Sequence, residues 1–278
     1  MPLSRLSGIR LGCAPAGEER VPRPATRLPP MPQTPVSPDV SQPAHQPTDQ
    51  PLAGFVVAID GPSGSGKSSV SKQVARTLGY AYLDTGAMYR ALTWWCLDRH
   101  VDLDDPAAVT AAAGGLPLDI GTDPDAPHVL VGGVDVAAAI RETRISTHVS
   151  KVATVIPVRE LLRRLQRELI SRAGASRGGV VVEGRDITTV VAPDASVRIL
   201  LTASEAARLA RRSRELHGDA EATSVSATRS QIVDRDRLDS TVSEFTVAAD
   251  GVTTVDTSDL DFDGSVHAVL QVVAAARA

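Results

Sequence analysis

Lysine is scarce in this chain. Of its 29 basic residues only Lys67, Lys72 and Lys151 are lysine, the rest being arginine. A lysine kept inside a glycine-rich loop against that bias is not a neutral choice. Cysteine is scarcer still: Cys13 and Cys96 are the only two, which excludes a disulfide scaffold and a cysteine-built zinc site and suits a reducing compartment. No stretch approaches the ~18 consecutive apolar residues of a membrane span, so an integral membrane protein is not expected. Excess positive charge is absent too. A net charge of −4 argues against a nucleic-acid binder held by bulk electrostatics, although a local basic groove is compatible with it. His100, His128, His148 and His217 are scattered without metal-ligand spacing, and no Ser/His/Asp or Cys/His arrangement stands out.

What is present divides in two. Residues 1–52 hold 12 of the 19 prolines and no aromatic residue; every Phe, Tyr and Trp lies from Phe55 onward. With almost nothing to bury, this segment is expected to be disordered or polyproline-like. It has no apolar core of a secretory signal, and its proline density is unsuited to an amphipathic transit helix. An inert extension, one that a downstream start would remove, and a docking or targeting tail all remain open.

From residue 53 the pattern alternates. Phe55–Asp60 reads as a buried strand, Lys67–Leu78 as a helix closed by Gly79, Tyr80–Leu83 as a second strand and Ala87–Arg99 as a second helix. Val180–Val182 and Val197–Leu201 are further apolar strands. Ser204 caps a helix to about residue 216, and Val252–Asp256 precedes a C-terminal helix. The alternation predicts an α/β fold with a mostly parallel sheet flanked by helices. Residues 115–136 break it with short apolar runs and a Gly132-Gly133 turn, which predicts a small antiparallel insertion. Pro157–Ser171 is expected to form a strong helix, with Arg163, Arg164 and Arg167 mostly on its polar face.

Gly61, Pro62, Ser63, Gly64, Ser65, Gly66, Lys67 and Ser68 fill every fixed position of the phosphate-binding G-x-x-x-x-G-K-[ST] loop, between a strand and a helix. Its backbone amides and the helix N-terminus, continuing into Ser69, suit phosphate oxygens. Lys67 is expected on the β- and γ-phosphates and Ser68 on Mg²⁺. The implied ligand is ATP with Mg²⁺. Many reaction classes share this loop, so the acceptor must be found elsewhere.

One strand later comes Asp84-Thr85-Gly86-Ala87-Met88-Tyr89-Arg90. Here the sequence resembles the bacterial cytidylate (CMP/dCMP) kinase family, which carries D-[ST]-G-x-x-Y-R in this place. The central insertion, Val182-Glu183-Gly184-Arg185-Asp186 and Arg235-Asp236-Arg237-Leu238-Asp239-Ser240 reinforce the resemblance, which runs from Phe55 to the C-terminus. Taken alone, Thr85 and Tyr89 offer hydroxyls and Arg90 a planar fork for a monophosphate. Asp84 is open to two readings, a helix N-cap or a group near the transferred phosphoryl.

The resemblance implies further roles. Ser150 and Arg159 match positions that contact the cytosine and the acceptor phosphate. Glu183, Arg185, Asp186 and Asp239 belong to the acceptor side, with Lys67, Asp84, Arg211 and Arg235 catalytic. It also implies a parallel five-stranded sheet, an acceptor-binding insertion over about 115–155, a short lid over about 208–240 and a cytoplasmic monomer. The partners are CMP and dCMP, with no nucleic acid or membrane. One departure stands out: where many relatives have a further acceptor-binding arginine, this chain has Val242. Two rivals are a related kinase acting on another acceptor such as UMP or AMP, and a nucleotide-binding regulatory module.

Overall fold

The computed structural model describes residues 51–217, 229, 232–233 and 235–278. The Pro-rich segment, apart from residues 51–52, and the middle of the expected lid lie outside the described residues.

Five strands form a parallel sheet. They are β1 (Phe55–Asp60), β2 (Ala81–Asp84), β6 (Gly179–Gly184), β7 (Val197–Thr202) and β8 (Thr253–Asp256), in the order β2-β6-β1-β7-β8. Their near-continuous apolar runs follow from burial on both faces. Val57 and Ile59 of β1 pack with Val70 and Val74 of α1 (Lys67–Leu78) and with Val266, Val269 and Val273 of α7 (Phe262–Ala275). Val56 and Ala58 point the other way, onto Ile170 and Ala173 of α5 (Ile156–Arg177). Burying each such Val or Ile contributes roughly 1.5–3 kcal/mol.

A second layer carries the insertion. Strands β3 (Leu118–Ile120), β4 (Val129–Val131) and β5 (Val134–Asp135) pair antiparallel, as expected. Gly132 and Gly133 join the last two with φ of 59° and 81°, the doubly positive geometry of a tight hairpin turn. This sheet packs on α2 (Thr85–Asp98), against which α3 (Pro106–Gly114) and α4 (Thr143–Ala153) also lie. Helix α6 (Glu205–His217) is capped by Ser204, whose Oγ accepts from Ala207 N–H at 3.3 Å.

The boundaries differ from the expected ones for local reasons. Tyr80 gives its amide to Ala75 O at 2.9 Å, closing α1, so β2 starts one residue later. Helix α2 starts at Thr85 because Asp84 caps it: Oδ1 accepts from Ala87 N–H at 2.9 Å. Helix α5 runs six residues beyond Ser171, to a left-handed Gly178. Arg167 does not share the polar face. It is buried, donating to Val191 O at 2.7 Å and pairing with Asp194 at 3.0 Å.

Candidate active site

The C-terminal ends of β1, β2 and β6 open into one cavity of about 710 Å³, the expected position for a ligand in an open α/β sheet. Its walls bring together Ser63, Gly64, Ser65, Gly66, Lys67, Ser68 and Ser69 with Asp84, Thr85, Tyr89, Arg90, Arg159, Glu183, Arg185, Asp186, Arg211, Arg235 and Asp239. Gly61, Pro62 and Ser150, named with them from sequence, are not in the lining.

The phosphate loop is shaped by close approach. A Cβ on Gly61 would fall 2.2 Å from Leu201 O, and one on Gly64 2.8 Å from Arg208 O, so neither position admits a side chain. Within the loop, Lys67 Nζ donates to Pro62 O at 3.3 Å. Burial lowers its pKa to about 8; the Glu183 carboxylate works against this, and Arg185 and Arg235 work with it.

Glu183 comes from β6, beside Ile59 of β1. It accepts from the Tyr82 hydroxyl at 2.7 Å and is hydrogen-bonded by Ser68. Burial raises its pKa, as does neighbouring Asp84. Glu183 therefore stands on the loop side of the cavity, next to Lys67 and Ser68. Thr85 Oγ1 donates to Glu183 O at 2.7 Å, so that hydroxyl is engaged with the strand.

Asp84 caps its helix and also lines the cavity. Oδ1 is the helix cap, and Oδ2 lies 3.8 Å from Arg141 Nη2. Arg90 donates Nη1 to Ile140 O (3.2 Å) and to Ser146 Oγ (3.0 Å), which fixes its fork against the insertion. Burial depresses its pKa and that of Arg235, the latter to about 9, with the neighbouring arginines adding to the effect.

On the far wall, Arg159 Nη2 donates to Asp186 Oδ2 at 2.5 Å and to Ser243 Oγ at 3.0 Å. Burial still raises the Asp186 pKa despite this partner. Ser150 stands behind the lining and donates at 2.7 Å to Oδ1 of Asp239, a lining residue. Arg185 pairs with Asp239 (2.8 Å) and Asp236 (3.0 Å) and lies over the Phe245 ring at 4.6 Å.

Arg211 is fastened to the loops around it. Nη1 donates to Ser65 O (3.2 Å) and Thr257 Oγ1 (3.0 Å), and Nη2 to Thr257 O (2.5 Å) and Leu260 O (3.1 Å). Sequence reasoning did not single out Arg141, Ser146 or Ser243, although all three line the cavity. Nor did it find Asp60, whose carboxylate accepts from Ile187 N–H, Thr188 N–H and Thr188 Oγ1 at 2.6–2.9 Å. Asp60 thereby anchors the turn that follows Arg185 and Asp186. A buried acid directly before the glycine-rich loop was the available signal.

The donor set suits polyphosphate. Ser65 Oγ is buried without a hydrogen-bond partner and belongs to a cavity-lining residue, while Arg185 Nη1 and Arg235 Nε face the Asp239 carboxylate at 2.8 and 3.6 Å. Lys67, Arg90 and Arg235 all have pKa values lowered by burial and by neighbouring cations, so the cavity favours anions. Ser68 Oγ and the Glu183 carboxylate supply the hard oxygen donors that Mg²⁺ prefers.

Comparison with known proteins agrees with this chemistry. A cytidylate kinase family model matches residues 57–275. A cytidylate kinase of Streptomyces avermitilis is 49% identical over 228 residues, covering 82% of this chain and 96% of that protein. Those of Streptomyces coelicolor (49%, covering 80% and 94%) and Rhodococcus opacus (48%, covering 80% and 95%) are similar to a comparable extent.

Proposed function

The chain belongs to the cytidylate kinase family, and on that premise we propose that it transfers the γ-phosphoryl group of MgATP to CMP or dCMP, giving ADP and CDP or dCDP. The observation that carries this reading is the single cavity itself. Its lining joins a phosphate loop with buried Lys67 to a second, arginine-rich set formed by Arg90, Arg159 and Arg185. Two anionic groups facing each other need such a site, whereas a hydrolytic switch needs only the first half.

The loop amides, Lys67 and Arg235 hold the donor phosphates. Ser68 and Glu183 are the residues that would hold Mg²⁺, which when bound neutralises charge on the β- and γ-oxygens. Arg90 takes the acceptor phosphate, its fork pre-set by Ile140 O and Ser146 Oγ. Asp186 and Asp239, each already paired with an arginine, face the nucleoside. Asp84 Oδ2, 3.8 Å from Arg141 Nη2, is in this reading the carboxylate nearest the transferred phosphoryl. Ser150 acts by holding Asp239, and Arg211 by clasping Ser65 O to the loop after β8. The reaction needs no covalent intermediate: the protein aligns two phosphates and offsets their charge.

The catalytic unit in this reading spans 53–278, with residues 1–52 as an appendage and 208–240 as a lid; the family match beginning at residue 57 supports that division. Among the described residues no helix is long and apolar enough to cross a membrane. The test is steady-state phosphoryl transfer with CMP, dCMP, UMP and AMP as acceptors. Stimulation by CMP and dCMP alone is expected; equal rates with UMP or AMP would assign another acceptor.

A further inference from the structure

Asp236 lies outside the cavity lining, yet three elements of the site meet on its carboxylate. Oδ1 accepts the Ser63 amide at 3.1 Å and stands 3.0 Å from Arg185 Nη2. Oδ2 accepts from Arg208 Nη1 at 2.6 Å. The two arginines hold the same serine: Arg185 Nη2 donates to Ser63 Oγ at 2.5 Å, and Arg208 Nη1 to Ser63 O at 2.9 Å. All three polar atoms of Ser63 are thus engaged by one acid and two guanidiniums. The side chains of Arg185, Arg208 and Asp236 are only 12–13% exposed.

The network spans the reaction. Ser63 belongs to the phosphate loop, Arg208 to α6, and Arg185 follows β6 on the acceptor wall. Through its other nitrogen Arg185 pairs with Asp239, which is held in turn by Ser150 of α4. Without the Asp236 charge, two arginines would crowd one serine with only neutral acceptors between them, and like charges would drive them apart. Charge-assisted bonds among shielded groups are directional enough to fix both arginines.

We infer that Asp236 is a positioning residue that locks the acceptor wall to the phosphate loop, so that donor and acceptor phosphates meet in line. This deepens the kinase reading and rests on it. Asp236 touches neither substrate; it acts through Arg185 and Ser63.

The test is Asp236→Asn in the full chain, with kcat and KM measured for CMP and for MgATP, and with the thermal midpoint recorded. The variant keeps the shape and removes the charge. Misplacing reacting groups by about 1 Å costs roughly 10²-fold, so kcat is expected to fall on that order. The KM values should change less than kcat, because Asp236 lies outside the cavity lining and contacts neither substrate. Asp236→Glu, which restores the charge, should recover most of the lost kcat. An unchanged kcat, or a tenfold or larger rise in KM for CMP, would overturn the assignment. Should Asp236→Asn not fold, Ser63→Ala decides. It removes one hydrogen-bond acceptor, worth about 1 kcal/mol or roughly fivefold in kcat, and an unchanged kcat would overturn the proposal. Wild-type protein that shows no CMP-stimulated transfer would refute the kinase reading instead, which keeps the two failures distinguishable.

Discussion

Tyr82 donates its hydroxyl hydrogen to Glu183 Oε1 across 2.7 Å, and both groups are buried between β2 and β6. Burial and Asp84 raise the Glu183 pKa, while Lys67 and this hydrogen bond lower it. Facing it, Lys67 is lowered by burial. The free enzyme is therefore expected to lose kcat/KM for MgATP on the acid side above the ordinary glutamate range, and on the alkaline side below the ordinary lysine range. Bound polyphosphate favours charged Lys67, so the alkaline limb of kcat should lie higher than that of kcat/KM. Tyr82→Phe removes a bond that favours the carboxylate, and its acid limb should move to higher pH. Superimposable pH profiles for the two proteins would contradict this arrangement.

Lys67→Ala should lower phosphoryl transfer by about 10²–10³-fold or more, the cost of deleting a preorganised charge from such a site. The protein should stay folded, because relief of a desolvated cation offsets the loss of the charge facing Glu183. Kinetics and a thermal melt on the same sample check both halves.

Ser150 and Asp239 should separate in their effects. Ser150→Ala deletes a donor to Asp239 while leaving Arg185 in place, which costs about 1–3 kcal/mol at most. Asp239→Ala also leaves Arg185 without one of its carboxylates and should raise KM for CMP further. If Ser150→Ala proved the more damaging, the serine would be a direct ligand after all.

Asp60 makes stability depend on pH. Burial raises its pKa from 3.8 to about 6, although three donors pull it back. The folded state thus holds the proton more tightly than the unfolded one. This contribution is fully present below about pH 4 and is lost as pH rises through about 6, on the order of 3 kcal/mol in total. Asp60→Asn has no such decline, so the difference in urea-unfolding free energy between variant and wild type should shift in the variant's favour from pH 4 to pH 7. A constant difference would contradict the raised pKa.

The parallel sheet was legible because β1 and β6 are buried on both faces and read as unbroken apolar runs. The loop Gly61–Ser68 was legible because its spacing is local. The turn at Gly132-Gly133 was equally visible, and an N-cap was one of the two readings open for Asp84, since each concerns only neighbours in sequence. The acceptor-site expectation for Ser150 rests on resemblance alone, and its hydroxyl donates to Asp239, 89 positions away, a partner that no local pattern announces. The contacts of Asp236 with Ser63, 173 positions apart, leave no local pattern. Arg167 was read onto a polar face from its charge, but Asp194 and Val191 O bury it. Such pairings depend on which loops the fold brings together, and helical periodicity carries none of that information.

The most direct measurement is ADP release from MgATP by the full-length protein with each nucleoside monophosphate in turn. Strong stimulation by CMP and dCMP, with little by UMP or AMP, is the predicted result. Slow hydrolysis indifferent to every acceptor would contradict the two-walled site and leave only a nucleotide-binding module.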